Sequence, residues 1–288
     1  MSKSGEPSPP ATLDRSGLEL EVEDRFPGPE LDRRLWIPAY LPQWSSRHQA
    51  AARYRLGSGG LELLIEADQP PWCPEFDGAL RTSSLQTGVH SGPAGSAIGQ
   101  HRFRDGLIVR EAQESLALYT PRYGLIECRA RALADPANMV ALWMIGFEDE
   151  PRRSAEICIF EIFGRDVGEG RARIGMGVHP FHDPAIRDDF ERVELAIDVL
   201  EPHDYAALWT SDGVAFYVDE QLVKVVHQSP DDPMQLMLDV FELADDGFPA
   251  SPPDRYPKAF HVDWVGGWRP VSGRDARPSA FDRLPSAG

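Results

Sequence analysis

The chain has 288 residues, 42% hydrophobic and 26% charged, and a formal net charge of −17. A phosphate backbone or an anionic membrane surface repels so acidic a protein, which argues against nucleic acid and lipid as partners and leaves neutral polymers open. Only three cysteines occur, Cys73, Cys128 and Cys158. Their spacing matches no metal motif, and an odd, sparse set reads as reduced thiols.

Residues 1–18 are rich in Ser, Pro and Gly and are expected to be disordered, as is the tail 271–288. The opening MSKSGEPSPPATLDRSG has no apolar leader, which predicts a cytoplasmic protein, or a secreted one if the sequence given is part of a longer chain. No apolar run reaches the length of a membrane span. Between the ends, 19–270 reads as one domain without repeats. Gln69–Gly106 is expected to be a long loop holding Trp72, Phe76 and His90, of the kind that walls a binding site. In YGLIECRARAL, Ile126, Cys128, Ala130 and Ala132 alternate with Glu127, Arg129 and Arg131, the two-residue period of a strand. VELAIDVL is expected to turn Val193, Leu195, Ile197 and Val199 inward. YAALWT and VAFYVDE flank a hairpin turn at Ser211-Asp212-Gly213, and Asp219-Glu220-Gln221 marks a second before LVKVV. MQLMLDVFEL and FHVDWVGGW supply later strands. Helical periodicity is nearly absent, so the fold class is all-β, a sandwich or jelly roll.

The informative segment is SAEICIFEIFG, residues 154–164. In a regular strand Glu156 and Cys158 share one face, and Glu161 falls with Ile157 and Ile159, where an unpaired carboxylate is costly. A β-bulge near Ile159-Phe160 returns Glu161 to the face of Glu156 and sends Ile162 to the core. Two glutamates so placed suit a retaining glycosidase, which needs a nucleophilic carboxylate and a carboxylic acid about 5–5.5 Å apart. A solvated sheet face, or pairing with Arg129 and Arg131, accounts for them equally well.

Glu156-Ile-Cys-Ile-Phe-Glu161 resembles the bulged Glu-x-Asp-x-x-Glu motif of glycoside hydrolase family 16, with Cys158 in place of the middle aspartate. DRFPGPELDRRLW, GGLELLIEA, ALRTSSLQTG, YGLIECRAR and ALWMIGFE precede it in the family's order. HDYAALWTSDGVAFYVDEQLV, PMQLMLDV and FHVDWV follow. The resemblance spans roughly Asp24 to Pro270. It implies a concanavalin A-like jelly roll of two curved antiparallel sheets, a cleft for a β-linked glycan, and retaining endo-glycosidase or transglycosylase chemistry. Glu156 would be the nucleophile and Glu161 the general acid/base. Trp143 would be a sugar platform, and Arg129 and His179 would join the substrate site. The bulged spacing points first to β-1,3-glucan. A neutral thiol at Cys158 removes one charge that raises the acid's pKa, which keeps a non-catalytic glycan-binding module as the alternative. Arg152 and Arg153 stand where many members carry Trp-Pro, and Asp239 where many carry Asn.

No cofactor is required by this chemistry. Some family members hold a structural calcium ion, for which Asp24 and Asp263 are the matching oxygen ligands. His179 and His182 in GVHPFHDP lie in a Pro-flanked loop, which suits sugar contact or plain loop structure better than a metal.

Overall fold

The computed structural model describes residues 12–243, 249 and 251–271. Its strands in chain order are β1 (Leu18–Asp24), β2 (Arg53–Gly57), β3 (Gly60–Ile65), β4 (Arg81–Gln86), β5 (Gly88–Val89) and β6 (Leu116–Ala117). Then come β7 (Gly124–Arg131), β8 (Asn138–Gly146), β9 (Glu156–Phe163), β10 (Val167–Gly168), β11 (Arg171–His179) and β12 (Asp189–Leu195). β13 (His203–Thr210), β14 (Gly213–Val218), β15 (Gln221–Val226), β16 (Met234–Glu242) and β17 (Lys258–Pro270) complete the set. One α-helical turn, α1, covers Pro74–Asp77.

Two antiparallel sheets carry nearly everything, as the all-β reading expects. The first runs β15-β14-β13-β7-β17-β3-β2 with β1 beside β17. The second runs β10-β11-β9-β8-β16-β4 with β12 beside β11. Their facing side chains form the main core, with Ile126, Cys128, Ala130, Phe216 and Val262 from the first sheet and Leu142, Met144, Ile157, Phe160, Leu238 and Val240 from the second. The alternation of Leu142 and Met144 with Ala141, Trp143 and Ile145 puts the latter three on the opposite face of β8. There they join Tyr40, Trp44, Trp72, Val109, Met237 and Phe241 in a second cluster, built where loops fold over the second sheet. That face is part cluster and part open cleft.

The expected hairpins are present, joining Thr210 to Gly213 and Val218 to Gln221. Asp219 and Glu220 both take positive φ, as a tight two-residue turn requires. Three expectations are corrected. Gln69–Gly106 is not one loop, because it contains α1, β4 and β5. β4 escapes a reading by apolar alternation because its Thr and Ser are buried, and the Ser83 hydroxyl donates to the Leu64 carbonyl at 2.6 Å. β12 ends at Leu195, so Val199 reaches the core from the following turn. Residues 12–18, read as part of a disordered leader, are placed: Thr12 bridges Gln221, the Leu13 amide donates to the Glu220 carbonyl at 2.8 Å, and Arg15 pairs with Glu127 and Glu220. The remaining terminal segments, 1–11 and 272–288, lie outside the described residues.

Candidate active site

β9 lies at the centre of the second sheet between β8 and β11. Cys158 pairs with Gly177 and Glu161 with Gly175, three residues on β9 against two on β11; the partner β8 steps from Trp143 to Leu142 as β9 steps from Cys158 to Phe160. The extra residue is Ile159, a bulge that sends Ile157, Ile159, Phe160 and Ile162 into the core and leaves Glu156, Cys158 and Glu161 in a row on the other face. Opposite that row stand His179, Gly177 and Gly175. A Cβ at Gly175 would lie 2.4 Å from the Phe190 ring and 3.2 Å from the Glu161 Cβ, so the bare glycine lets Phe190 cross β11 toward the dyad.

Glu156 and Glu161 form the floor of a cleft of about 580 Å³, walled by Tyr40, Leu80, His101, Trp143, Phe181 and Phe241, with Cys158 fully buried between them. The Cys158 Sγ lies 2.7 Å from Glu156 Oε1 and 3.8 Å from Glu161 Oε1. One thiol therefore spans the two carboxyls, which cannot be farther apart than those two distances end to end. That span includes the separation a retaining glycosidase needs. Burial pushes Glu156 up to about 8, with the Cys158 hydrogen bond opposing and the Glu161 charge reinforcing. Glu161 is also raised by burial, against the influence of His179 and Arg192. The Cys158 thiol is pushed well above its ordinary value by burial and by both glutamates, so it stays protonated and donates.

Trp143 is 5% exposed and donates from Nε1 to Asp239 Oδ2 at 2.5 Å. Burial lifts Asp239 to about 7. His179 lines the cleft, stacks on Phe190 at 4.7 Å between centroids, and holds Asp188 Oδ1 at 2.5 Å through Nδ1. Arg129 is not at this site. It lies on β7 in the other sheet, faces away from the core, and pairs with Asp204 at 2.9 Å and Asp263 at 3.3 Å. Strand alternation alone cannot tell which of two sheets a strand joins. Arg153 offers no free charge to the cleft either, being paired with Asp149, Glu150 and Asp232.

The calcium expectation does not fit. Asp24 Oδ1 accepts the Phe26 amide at 2.7 Å and Oδ2 accepts the Trp36 indole N–H at 3.0 Å, both in buried surroundings. Asp263 pairs with the Arg129 guanidinium at 3.3 Å, a cation already beside it. Each carboxylate is committed to other donors.

Sequence reasoning missed several cleft groups, among them His101, Phe181 and Tyr40. His101, held at φ 51° with its amide donating to Glu148 Oε1 at 3.0 Å, sits 5.0 Å from the Trp143 ring and 4.5 Å from Phe181. Burial drives its ring pKa down to about 3, so it is neutral. Phe181 is the exposed aromatic at the mouth, 36% accessible, and Tyr40 packs edge-on against Trp72 and Phe241. All three come from loops, where neither periodicity nor spacing marks a residue as facing the dyad. For Phe181, the flanking GVHPFHDP loop was a signal, but it drew attention to its histidines.

The family sequence model described as Glycosyl hydrolases family 16 matches residues 115–266, which span both glutamates and more than half of the chain. The chain belongs to glycosyl hydrolases family 16. This family 16 domain is similar to an endo-β-galactosidase from Clostridium perfringens that releases GlcNAcα1-4Gal, at 31% identity and a TM-score of 0.77, over 92% of this chain and 66% of that one. It also shares its fold with a laminarinase from a Flavobacterium species, at 18% identity and a TM-score of 0.60, covering 87% of this chain and 100% of that one. An endo-β-1,3-glucanase from Pyrococcus furiosus, at 17% identity and a TM-score of 0.59, covers 92% and 100%. No curated protein sequence matches the chain.

Proposed function

We propose that this family 16 domain is a retaining endo-β-glycosidase that cleaves a β-galactosyl linkage within a glycan chain. The observation that carries it is a pair of carboxyls, Glu156 buried and Glu161 half-buried, bridged by one thiol at an aromatic cleft. In this reading Glu156 attacks the anomeric carbon while Glu161 protonates the departing glycosidic oxygen. Glu161, now ionised, then takes a proton from the water that hydrolyses the glycosyl-Glu156 ester. Carboxyls so close titrate as a pair, and burial raises both, which favours keeping one proton in the pair at neutral pH. The reaction needs that proton on Glu161. The Cys158 thiol favours this, because it donates to Glu156 and so stabilises the ionised nucleophile.

The bulged motif alone favours β-1,3-glucan. The higher identity to an endo-β-galactosidase than to the glucanases favours galactose. The wall suits it chemically: the axial 4-hydroxyl of galactose leaves one face rich in C–H bonds, which pack on aromatic rings such as Phe181. The test is hydrolysis of β-galactan, β-1,3-glucan and mixed-linkage oligosaccharides, with Glu156→Gln as control and the product anomer followed by NMR. Expected is cleavage of a galactoside with retention, lost at least about a thousandfold in the variant. Cleavage of β-1,3-glucan alone would overturn the substrate. Saturable binding with no cleavage would replace the enzyme with a glycan-binding module.

A further inference from the structure

Cys158 does more than replace a carboxylate. It adds a soft ligand beside a histidine, and the ligand atoms of Glu156, Cys158 and His179 all lie within 4.8 Å of one another. We propose that these three residues form a binding site for a zinc-like divalent cation, which closes the glycosidase site by coordinating its nucleophilic carboxylate. The inhibitory half rests on the function proposed above; the binding half does not.

A thiolate, an imidazole and a carboxylate are the donors zinc prefers, and a tetrahedral zinc holds such atoms roughly 3.3–3.7 Å apart. The present triad has to close by about 1 Å, within reach of side-chain rotation. Glu156 pairs with His179 and Cys158 with Gly177 on adjacent hydrogen-bonded strands, so the three side chains are already held together on one face. The histidine is prepared independently of the other two. Its Nδ1 meets the Asp188 carboxylate, an arrangement that leaves Nε2 to ligate, and Phe190 stacks on its ring. A carboxylate behind a ligating imidazole is the usual support of a zinc histidine. Glu156 and His179 line the cleft, so water or a sugar hydroxyl would complete the coordination from that side. On binding, the Sγ–H bond breaks, its proton leaves to solvent and an S–metal bond forms. One thiolate and one carboxylate then balance the divalent charge.

The test uses the full chain without an affinity tag, cleared of metal and titrated with Co²⁺. Cobalt reports thiolate coordination through a charge-transfer band in the near ultraviolet. Expected is one equivalent of cobalt, the band, and its displacement by Zn²⁺. Cys158→Ser should lose the band, and His179→Ala should bind at least about tenfold more weakly, with unchanged melting confirming its fold. The other thiols do not confuse the signal: Cys128 is enclosed in the core, and Cys73 donates to the Trp44 carbonyl. No band at stoichiometric metal, a band that survives Cys158→Ser, or unchanged affinity in His179→Ala would each overturn the site. In the activity arm, Zn²⁺ should abolish hydrolysis and chelator should restore it, while full activity with the metal bound overturns the inhibition. If the chelated protein hydrolyses nothing, the proposed function fails and the cobalt spectrum still decides the metal site.

Discussion

At the scale of single residues, the proposed chemistry depends on what Cys158 does for Glu156. The thiol is a donor at 2.7 Å on a carboxyl whose burial already resists ionisation. A hydrogen bond to a charged group contributes about 1.5–3 kcal/mol. Cys158→Ala is therefore expected to lower kcat/KM by at least about tenfold, whereas Cys158→Ser keeps a donor and most of the rate. Cys158→Asp is expected to act differently. A third negative charge between the glutamates raises the pKa of both, so the alkaline limb of the kcat/KM profile should move to higher pH. A limb that stays in place, measured across pH 6–10, would show that residue 158 does not couple to the dyad. Asp239→Asn keeps an acceptor for the Trp143 indole and should leave activity near the parent value.

At the scale of elements, the bulge and the glycine row decide where side chains point. Gly177 adopts φ +148°, and a Cβ there would lie 2.1 Å from the Asp189 carbonyl oxygen, which cannot move without breaking the β11–β12 ladder. At Gly175 the nearest atom is the tip of the Phe190 ring, which can swing. Gly177→Ala is thus expected to destabilise by about 1–3 kcal/mol, and Gly175→Ala to reduce activity with a smaller loss of stability; thermal melts beside initial rates separate the two. The need for a bulge was legible in the sequence, because without it Glu161 enters an isoleucine-lined core. The walls were not legible. Arg129 alternates as faithfully as a cleft residue would, yet its strand belongs to the other sheet. His101 and Phe181 reach the cleft from loops whose course is set by distant contacts, such as Glu148 accepting both the His101 amide and the Ser154 hydroxyl. Local pattern carries the strand and its faces; tertiary placement supplies the rest.

At the scale of the whole molecule, the acidic excess and the buried carboxyls act in the same direction. Glu156 at about 8, with Glu148 and Asp239 at about 7, are all raised chiefly by burial above their unfolded values near 4. The folded state therefore binds more protons than the unfolded chain between about pH 4 and pH 8, and stability falls as pH rises through that window. Carboxylates such as Asp32, lowered to about 2 by its hydrogen bonds from Arg34, work oppositely, and the stability they give is lost only as pH falls below about 4. Repulsion among the charges behind the net −17 adds to the alkaline loss, but it acts between exposed groups and is screened by salt. The melting temperature is expected to be highest near pH 5 and to fall by roughly 5–10 °C by pH 8, reflecting a few kcal/mol at about 2–4 °C per kcal/mol. Molar salt should recover only part of that fall. The remainder should shrink in the double variant Glu148→Gln, Asp239→Asn, which keeps acceptor oxygens but no longer has carboxyls to ionise. Complete recovery by salt in the parent would assign the effect to the surface alone. A melting temperature that rises toward pH 8 would contradict the protonated interior.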